Sequence, residues 1–347
     1  MAAESGAGSV PAQRAAGQLA FVFCDILDVV PKDDMATMEH PVFSLSTRPD
    51  RRILRYDHGP VRVEITPSVK GLATIHDKDI LIYCISQLVA RLNRGEPVAR
   101  ELRLIAQDLM QATGRETSGD GYRRLREAFE RLAGTRIVTN IATGGIETTR
   151  GFGLIDGWEI LRRTRSGRMI SVSVVLSDWL YRAVLARSVL TLSRDYFRLR
   201  KPLERRVYEL ARKHCGRQPE WRVGLGTLLA KTGSASPLRV FRKMIRDIAA
   251  ADTLPDYRLE LTGDDIVVVT QRRDHLVEEE GWPRLPAGTH EAARAAAPGY
   301  DPYWLEREWR AMWAASGRPR LRSPARAFLA FCRSRAARAP LGGEGSR

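Results

Sequence analysis

A duplicated segment constrains the fold of this chain more than any other feature. Residues 104–114 and 223–233 align without a gap and share a Leu, a Thr and a Gly at matching positions. Each copy leads through a short turn into a second segment with a helical apolar stripe, at residues 122–129 and 238–245. Two helical segments joined by a turn that contains Gly predict a helix-turn-helix. Its duplication predicts a chain with two similar domains.

Positive charge is concentrated in the second half of the chain. The 347 residues have a formal net charge of +15. Residues 191–250 hold 15 Lys and Arg against 5 Asp and Glu, and residues 317–347 hold 8 against 1, whereas residues 1–190 are nearly balanced at 26 against 22. A basic field of this kind is typical of proteins that bind nucleic acid, although a solubilising surface has the same composition.

The cysteines and the apolar runs argue against several other classes. Cys24, Cys84, Cys215 and Cys332 form no C-x-x-C pair, and the six histidines do not cluster at ligand spacing. Neither a disulfide framework nor a zinc site is therefore expected. Residues 19–30 contain two aspartates, are too short to span a bilayer, and lack the basic start and cleavage site of a signal peptide. We predict a cytoplasmic protein that needs no cofactor and no membrane.

Strand patterns follow both helix-turn-helix segments. Alternating apolar residues predict strands at 135–141, 151–161 and 169–176 after the first copy, and at 257–261 and 266–270 after the second. A helix-turn-helix followed by a β-hairpin describes a winged helix. The predicted fold class is α+β, with two tandem winged-helix domains and a helical C-terminal extension. The predicted boundaries are 1–24 for a disordered N-terminal tail, 25–190 for the first winged-helix domain, 191–273 for the second and basic one, 274–300 for a linker, and 301–347 for the extension with its basic tail.

Basic side chains that point away from the apolar stripes are the candidate DNA contacts. The second helix of such a unit enters the major groove, and the hairpin wing touches the flanking backbone. For either helix alone, a core helix with a solvated basic face is the alternative, and the matched pairs of arginines in the two copies favour DNA. The candidates are Tyr122, Arg123, Arg124 and Arg126 in the first helix, Arg162, Arg163, Arg165 and Arg168 in the first wing, Arg198, Arg200, Lys201, Arg205 and Arg206 early in the second domain, and Ser236, Arg239, Arg242, Lys243 and Arg246 at the second helix.

Motifs for catalysis are missing from the sequence. It contains no G-x-x-x-x-G-K-[ST] loop, no G-x-S-x-G elbow and no His-x-His pair. Asp264 and Asp265 are candidates for a nuclease metal site, but Asp is favoured in hairpin turns for backbone reasons. The sequence therefore predicts a binding protein and not an enzyme.

Several longer phrases resemble one protein family. They are DILD at 25–28, PKDDMA at 31–36, PVFSLS at 41–46, TPSVKGLATI at 66–75, DKDILIYC at 77–84, GDGYRRL at 119–125, LSRDYF at 192–197 and LERRVYE at 203–209. Together they resemble the replication initiator protein A family of α-proteobacterial plasmids, over roughly residues 25–275. Ser118 and Gly119 stand where the family pattern leads us to expect Gly-Gly. This departure from the pattern affects the expected geometry of the turn before the helical segment at residues 122–129.

The resemblance implies a plasmid-encoded initiator with two winged-helix domains. Such proteins bind repeated double-stranded sites at the plasmid origin, help to open the duplex, and bring in the host initiator and the replicative helicase. Relatives of this broad type also repress their own promoter as dimers, which implies switching between monomer and dimer. Two alternatives stay open: a transcriptional regulator with the same binding apparatus, and a nuclease or nicking enzyme.

Overall fold

The structure is a computed structural model. It describes residues 22–24, 41–58, 61–143, 146–162, 169–185, 189–215, 218, 220–272, 283, 285–286, 289–297, 300, 302–319 and 321–338. Of the predicted site residues, Arg163, Arg165 and Arg168 lie outside this set.

A four-stranded antiparallel sheet and a long helix form one part of the first half. The strands follow the order β2-β3-β5-β6 and pack with α1 in a core that includes Ile65, Leu88 and Ile137. A short pair of strands, β1 and β9, joins the N-terminal segment to the end of this half. The bounds are Val22–Cys24 for β1, Leu54–His58 for β2, Val61–Thr66 for β3, Lys78–Asn93 for α1, Arg136–Thr143 for β5, Ile146–Gly153 for β6, Asp178–Leu185 for α4 and Val189–Thr191 for β9.

The first predicted helix-turn-helix lies beside a three-stranded antiparallel sheet. A strand precedes the helix pair, and a hairpin follows it after the intervening strands β5 and β6. The first strand pairs with the last strand of that hairpin, with Glu101 opposite Val175. Leu109, Leu125 and Phe129 are buried where the helices meet the sheet. The elements are β4 (Glu101–Ile105), α2 (Ala106–Ala112), α3 (Gly119–Gly134), β7 (Ile155–Arg162) and β8 (Met169–Leu176).

The second copy repeats this topology without the two intervening strands. The strand before its helix pair again pairs with the last strand of the following hairpin, with Glu220 opposite Thr270. Phe241, Ile245 and Ile248 of its second helix are buried against the sheet, as their spacing predicts. Its elements are a 3-10 helix (Arg194–Arg198), α5 (Pro202–His214), β10 (Glu220–Gly224), α6 (Leu225–Thr232), α7 (Leu238–Ala251), β11 (Tyr257–Leu261) and β12 (Ile266–Gln271).

The residues shared by the two copies form the same helix ending. Thr113 and Thr232 are buried, and each hydroxyl donates a hydrogen bond to a carbonyl of its own helix, at 2.7 Å to Leu109 and at 2.8 Å to Leu229. Gly114 and Gly233 follow with φ of +64° and +70°. Glycine adopts this left-handed conformation without a steric penalty, so it ends the helix and starts the turn.

The two glycines differ in their surroundings, which gives a matched pair of variants. A Cβ on Gly233 would lie 2.3 Å from Cγ of Pro41, whereas a Cβ on Gly114 would meet only the Phe197 carbonyl oxygen, at 3.8 Å. We expect Gly114→Ala to destabilise the protein by about 1 kcal/mol through backbone strain, and Gly233→Ala by a further 1–3 kcal/mol or so through the clash. Urea denaturation of both variants measures the difference, and equal losses would argue against the Pro41 contact.

Three helices near the C terminus share a third core. Ala293, Leu305, Trp309, Phe328 and Cys332 are buried in it. The helices are α8 (Thr289–Ala296), α9 (Pro302–Ala315) and α10 (Pro324–Arg338). Helix α8 lies within the segment predicted as a linker. Its alanines favour a helix, and this helix packs on the other two. The helical C-terminal part therefore begins earlier than predicted, and β1 likewise lies inside the predicted disordered tail.

A buried ionic contact in this three-helix part predicts a pH dependence. Nε2 of His290 lies 2.6 Å from Oε2 of Glu306, and Nη2 of Arg310 lies 2.7 Å from Oε1. Burial alone would raise the pKa of Glu306, but the hydrogen bonds from His290 and Arg310 lower it to about 2. Because folding lowers the pKa of Glu306, its ionised carboxylate stabilises the folded protein at pH values above the pKa of Glu306 in the unfolded chain. This stability is lost as the pH falls toward 2.

The corresponding variant is Glu306→Gln. The difference in unfolding free energy between wild type and the variant should shrink by about 2 kcal/mol between pH 5 and pH 2.5. Chemical denaturation followed by tryptophan fluorescence measures it, since Trp309 and Trp313 lie on α9. A difference that stays constant over this range would contradict the assignment.

The described residues bear on two further expectations. None of the helices in the described part combines the length and apolar character needed to cross a membrane. Within the same residues, no three His, Cys, Asp or Glu side chains are grouped as metal ligands. Cys84, Cys215 and Cys332 are buried free thiols.

Candidate nucleic-acid interface

One exposed face of α7 carries a row of basic side chains. Arg239, Lys243 and Arg246 are exposed and recur at helical spacing, opposite the buried residues of the same helix. Lys243 approaches the Asp247 carboxylate at 3.9 Å. Among the residues that the structure describes, Arg239 and Arg246 have no ion-pair partner. These two guanidinium groups are therefore available to an anionic ligand.

Arg242 is used differently. Its Nε and Nη2 bind the two carboxylate oxygens of Asp265 at 2.8 and 2.6 Å, in the turn between β11 and β12. The Asp265 carbonyl also accepts a hydrogen bond from the Leu225 backbone N–H at 2.8 Å, at the start of α6. Arg242 thus ties the helix to the hairpin, and its predicted role as a free DNA contact is replaced by a structural one. The same bond occupies the carboxylate that a metal at Asp265 would need.

The exposed face of α3 is neutralised by its own helix. Arg123 bonds Asp120 and lies 2.9 Å from Glu127. Arg124 lies 2.6 Å from Asp120, and Arg126 lies 3.1 Å from Glu130. Each of these ion pairs joins residues three or four positions apart, which are neighbours on the surface of the same helix. Tyr122 is half-buried and packs against the first core. The face predicted to match that of α7 is therefore much less positive.

Two of the predicted DNA contacts lie in the interior. Arg205 bonds the buried Asp79 carboxylate and donates to the Leu199 carbonyl at 2.7 Å. Arg206 donates to the Lys231 carbonyl at 3.0 Å, at the end of α6. Both arginines are buried. Their prediction as DNA contacts is corrected, because α5 packs them between the two halves of the chain and not on its surface.

The remaining candidates are spread over other surfaces. Arg162 is exposed at the end of β7, and Arg200 is exposed just before α5. Arg198 pairs with Asp195 at 2.8 Å and Lys201 pairs with Glu204 at 3.2 Å. Ser236 is half-buried, and its hydroxyl lies 3.8 Å from the Met244 sulfur. Among the predicted contacts that the structure describes, Arg239, Lys243 and Arg246 thus share one exposed helix face, and unlike the arginines of α3 this face is not neutralised by close acids.

Apolar residues at the start of α7 were missed by the sequence analysis. Leu238 and Val240 are each 40% exposed, beside the basic row. A search for basic residues passes over them, and the core stripe does not contain them. Their position off the stripe of Phe241 and Ile245 is the signal in the sequence that identifies them. Such side chains suit apolar contact with a thymine methyl group.

Buried charges fix the two helix pairs relative to each other. Nζ of Lys78 on α1 lies 2.8 Å from Oε2 of Glu209 on α5, with side-chain exposures of 4% and 1%. The Tyr196 hydroxyl donates to the other Glu209 oxygen at 2.7 Å. Asp79, next to Lys78, binds Arg205. Ile82 of the same helix is buried in the core of the second half. Helix α1 thus belongs to both halves and holds them in one orientation.

Comparison with known proteins places the chain in the class of proteins that initiate DNA replication. Residues 32–259 match the family described as Replication initiator protein A. A curated protein of Wigglesworthia glossinidia brevipalpis, named "Putative replication protein", is 38% identical over 245 residues, which cover 70% of this chain and 89% of that protein. The chain therefore belongs to the Replication initiator protein A family.

One solved structure supports the same kind of fold. The crystal structure of the selenomethionine derivative of domains 2 and 3 of RctB superimposes with a TM-score of 0.51 at 14% identity, covering 67% of this chain and 95% of that one. A second crystal structure of RctB domains 2 and 3 gives a TM-score of 0.48 at 15% identity, covering 68% and 97%. The first of these likenesses supports a mixed α/β fold with antiparallel sheets.

Proposed function

We propose that this chain starts plasmid replication by binding repeated double-stranded DNA sites at the origin, and that its two helix-turn-helix units are winged helices. Family membership supports the replication role. The observation that carries the DNA-binding part is the exposed face of α7, where Arg239 and Arg246 have no ion pair among the described residues and flank Lys243. Melting of the origin and recruitment of the host initiator and helicase complete the proposal.

The geometry suggests how α7 would read DNA. An arginine fork matches the O6 and N7 acceptors of guanine or the oxygens of a phosphate. Leu238 and Val240, at the helix start, would touch base methyl groups while the arginines bind. The β11–β12 turn would lie as a wing beside the groove, held to α7 by the Arg242–Asp265 pair. No covalent step is involved, and binding energy would come from phosphate neutralisation and base contacts.

An origin-dependence assay tests the replication role. A plasmid that carries only the cloned origin should be maintained when this protein is supplied from a second replicon and lost when it is not. Maintenance without the protein would contradict the proposal and leave a regulator of transcription. Incubation of supercoiled origin DNA with Mg²⁺ and protein should give no nicked product, and nicking would assign a nuclease.

The affinity for origin DNA should fall steeply with salt. With about six phosphates neutralised, log K should fall with log salt concentration at a slope of about −5. Gel-shift or fluorescence-anisotropy titrations from 50 to 200 mM salt, or about that range, measure this slope. A flat response would contradict phosphate contact by the basic second half.

A further inference from the structure

A second arginine-rich face lies on the C-terminal helix α10. Residues 317–338 contain seven arginines and no acidic residue. Arg326, Arg333 and Arg338 are exposed on α10, and the alanines at 330 and 337 are exposed between them. The opposite side of the helix buries Phe328 and Cys332 in the third core. This face is therefore presented outward by a packed helix.

The arginines of this face lack the compensation seen on α3. On α3 each exposed arginine has an acid one turn away, whereas α10 has no acid at all. Within the described part of the chain, Arg326, Arg333 and Arg338 form no ion pair. Arg326 also stands in the first turn of α10, where the helix dipole disfavours positive charge. A local conflict of this kind is typical of residues kept for a function.

We propose that this face of α10 binds the phosphate backbone of duplex DNA that flanks the site read by α3 and α7. The proposal rests on the proposed DNA binding but concerns a separate surface, beyond residues 32–259 that match the family. The contact would be independent of sequence, because phosphate contacts carry no base information. It would extend the footprint of one chain and add to its affinity.

The composition of the face favours nucleic acid over a lipid surface. A helix that lies on a membrane exposes large apolar side chains such as Trp, Phe or Leu beside its basic residues. Here the exposed residues between the arginines are Ala330, Ser334 and Ala337. The large apolar side chains of this stretch pack against the third core, Phe328 fully buried and Leu329 and Phe331 partly buried. Small residues between arginines let a polyanion approach the helix closely, so that each guanidinium can bind a phosphate through two hydrogen bonds.

The test compares two DNA fragments and two triple variants of the full chain. One fragment holds a single binding site, and the other adds about 20 base pairs on each side, roughly two helical turns. The variant is R326Q/R333Q/R338Q, in which glutamine keeps the helix propensity. The control is R91Q/R94Q/R182Q, which removes the same charge from exposed arginines that pair with Glu96 and Asp178. Circular dichroism confirms that both variants fold.

On the long fragment, the α10 variant should bind about 10-fold more weakly than the control, with a salt slope reduced by about 2–3. On the short fragment, the two variants should bind equally.

Equal binding of both variants to the long fragment would overturn the proposal. An equal loss on both fragments would overturn the flanking assignment. If the α10 variant lost binding only to vesicles of anionic phospholipid, or only to an acidic partner protein, the face would be assigned to a lipid surface or to that protein and not to DNA. Wild-type protein that binds neither fragment would instead overturn the proposed function.

Discussion

Replacing Arg239 and Arg246 together with glutamine should weaken binding to an origin site by about 30-fold or more. Each of these arginines is exposed on α7 and has no ion pair in the described part of the chain, so neither exchanges an existing partner for DNA. A single arginine contact of this type contributes about 1–3 kcal/mol, and each 1.4 kcal/mol is about tenfold in affinity. Fluorescence anisotropy with a labelled origin site at fixed salt measures the loss.

The matched control is a pair of exposed arginines on α3. R123Q/R126Q removes the same charge, but both arginines are already bound to Asp120, Glu127 and Glu130 on α3. DNA must displace these carboxylates before it can bind either arginine, so we expect an effect of about 3-fold or less. Equal losses for the two pairs would contradict the view that α7 dominates the affinity. Arg242 is left out of the test because its bond to Asp265 shapes the fold.

Glu209→Ala should be the most destabilising single change at the junction of the two halves. The substitution removes the carboxylate that Lys78 and Arg206 both contact in the interior, and with it the acceptor for the Tyr196 hydroxyl. Breaking a buried ion pair in this way lowers the free energy of unfolding by about 3–5 kcal/mol, because an uncompensated charge remains in the interior. Urea denaturation followed by circular dichroism measures the change.

Two controls separate this effect from a general loss of charge. Glu64→Ala breaks the exposed pair with Arg55 and should change the free energy of unfolding by less than about 1 kcal/mol. The double variant K78M/E209L removes Lys78 together with its carboxylate but still leaves Arg206 without Glu209, so it should recover part of the stability lost by Glu209→Ala. A double variant as unstable as the single one would show that the Lys78–Glu209 contact does not set the loss, and would assign it to packing or to the Arg206–Glu209 contact.

The sequence predicted the duplicated part of the fold well, because local chemistry determines it. The shared Thr and Gly end α2 and α6 in the same way, and the stripe of Phe241, Ile245 and Ile248 turns inward as its spacing requires. The strands at 257–261 and 266–270 are present as β11 and β12. The strand at 135–141 was also predicted, but its pairing with β3, which places Val63 opposite Thr139, joins distant parts of the chain and is not revealed by any local pattern.

The candidate site was harder to predict than the fold. A basic side chain has the same appearance in a sequence whether it faces water, an acid or the interior. Arg205 and Arg206 fell on the polar side of α5 by periodicity, but that side packs against α1 and the end of α6. Arg242 and Arg239 are neighbours on one helix, and only the turn at Asp265 distinguishes them. Ion-pair and hydrogen-bond partners that are distant in the sequence decide which arginines are available to bind DNA.

On the proposed function, one chain presents two DNA-binding helix pairs in a fixed relative orientation. Hydroxyl-radical footprinting on the origin site, with and without an insertion of about 5 base pairs between its two half-sites, tests it most directly, since half a helical turn rotates one half-site to the far side of the duplex. Because α1 and α5 lock the two halves together, the insertion should abolish protection of one half-site while the α7 half-site stays protected. Undiminished protection of both half-sites after the insertion would contradict the fixed orientation.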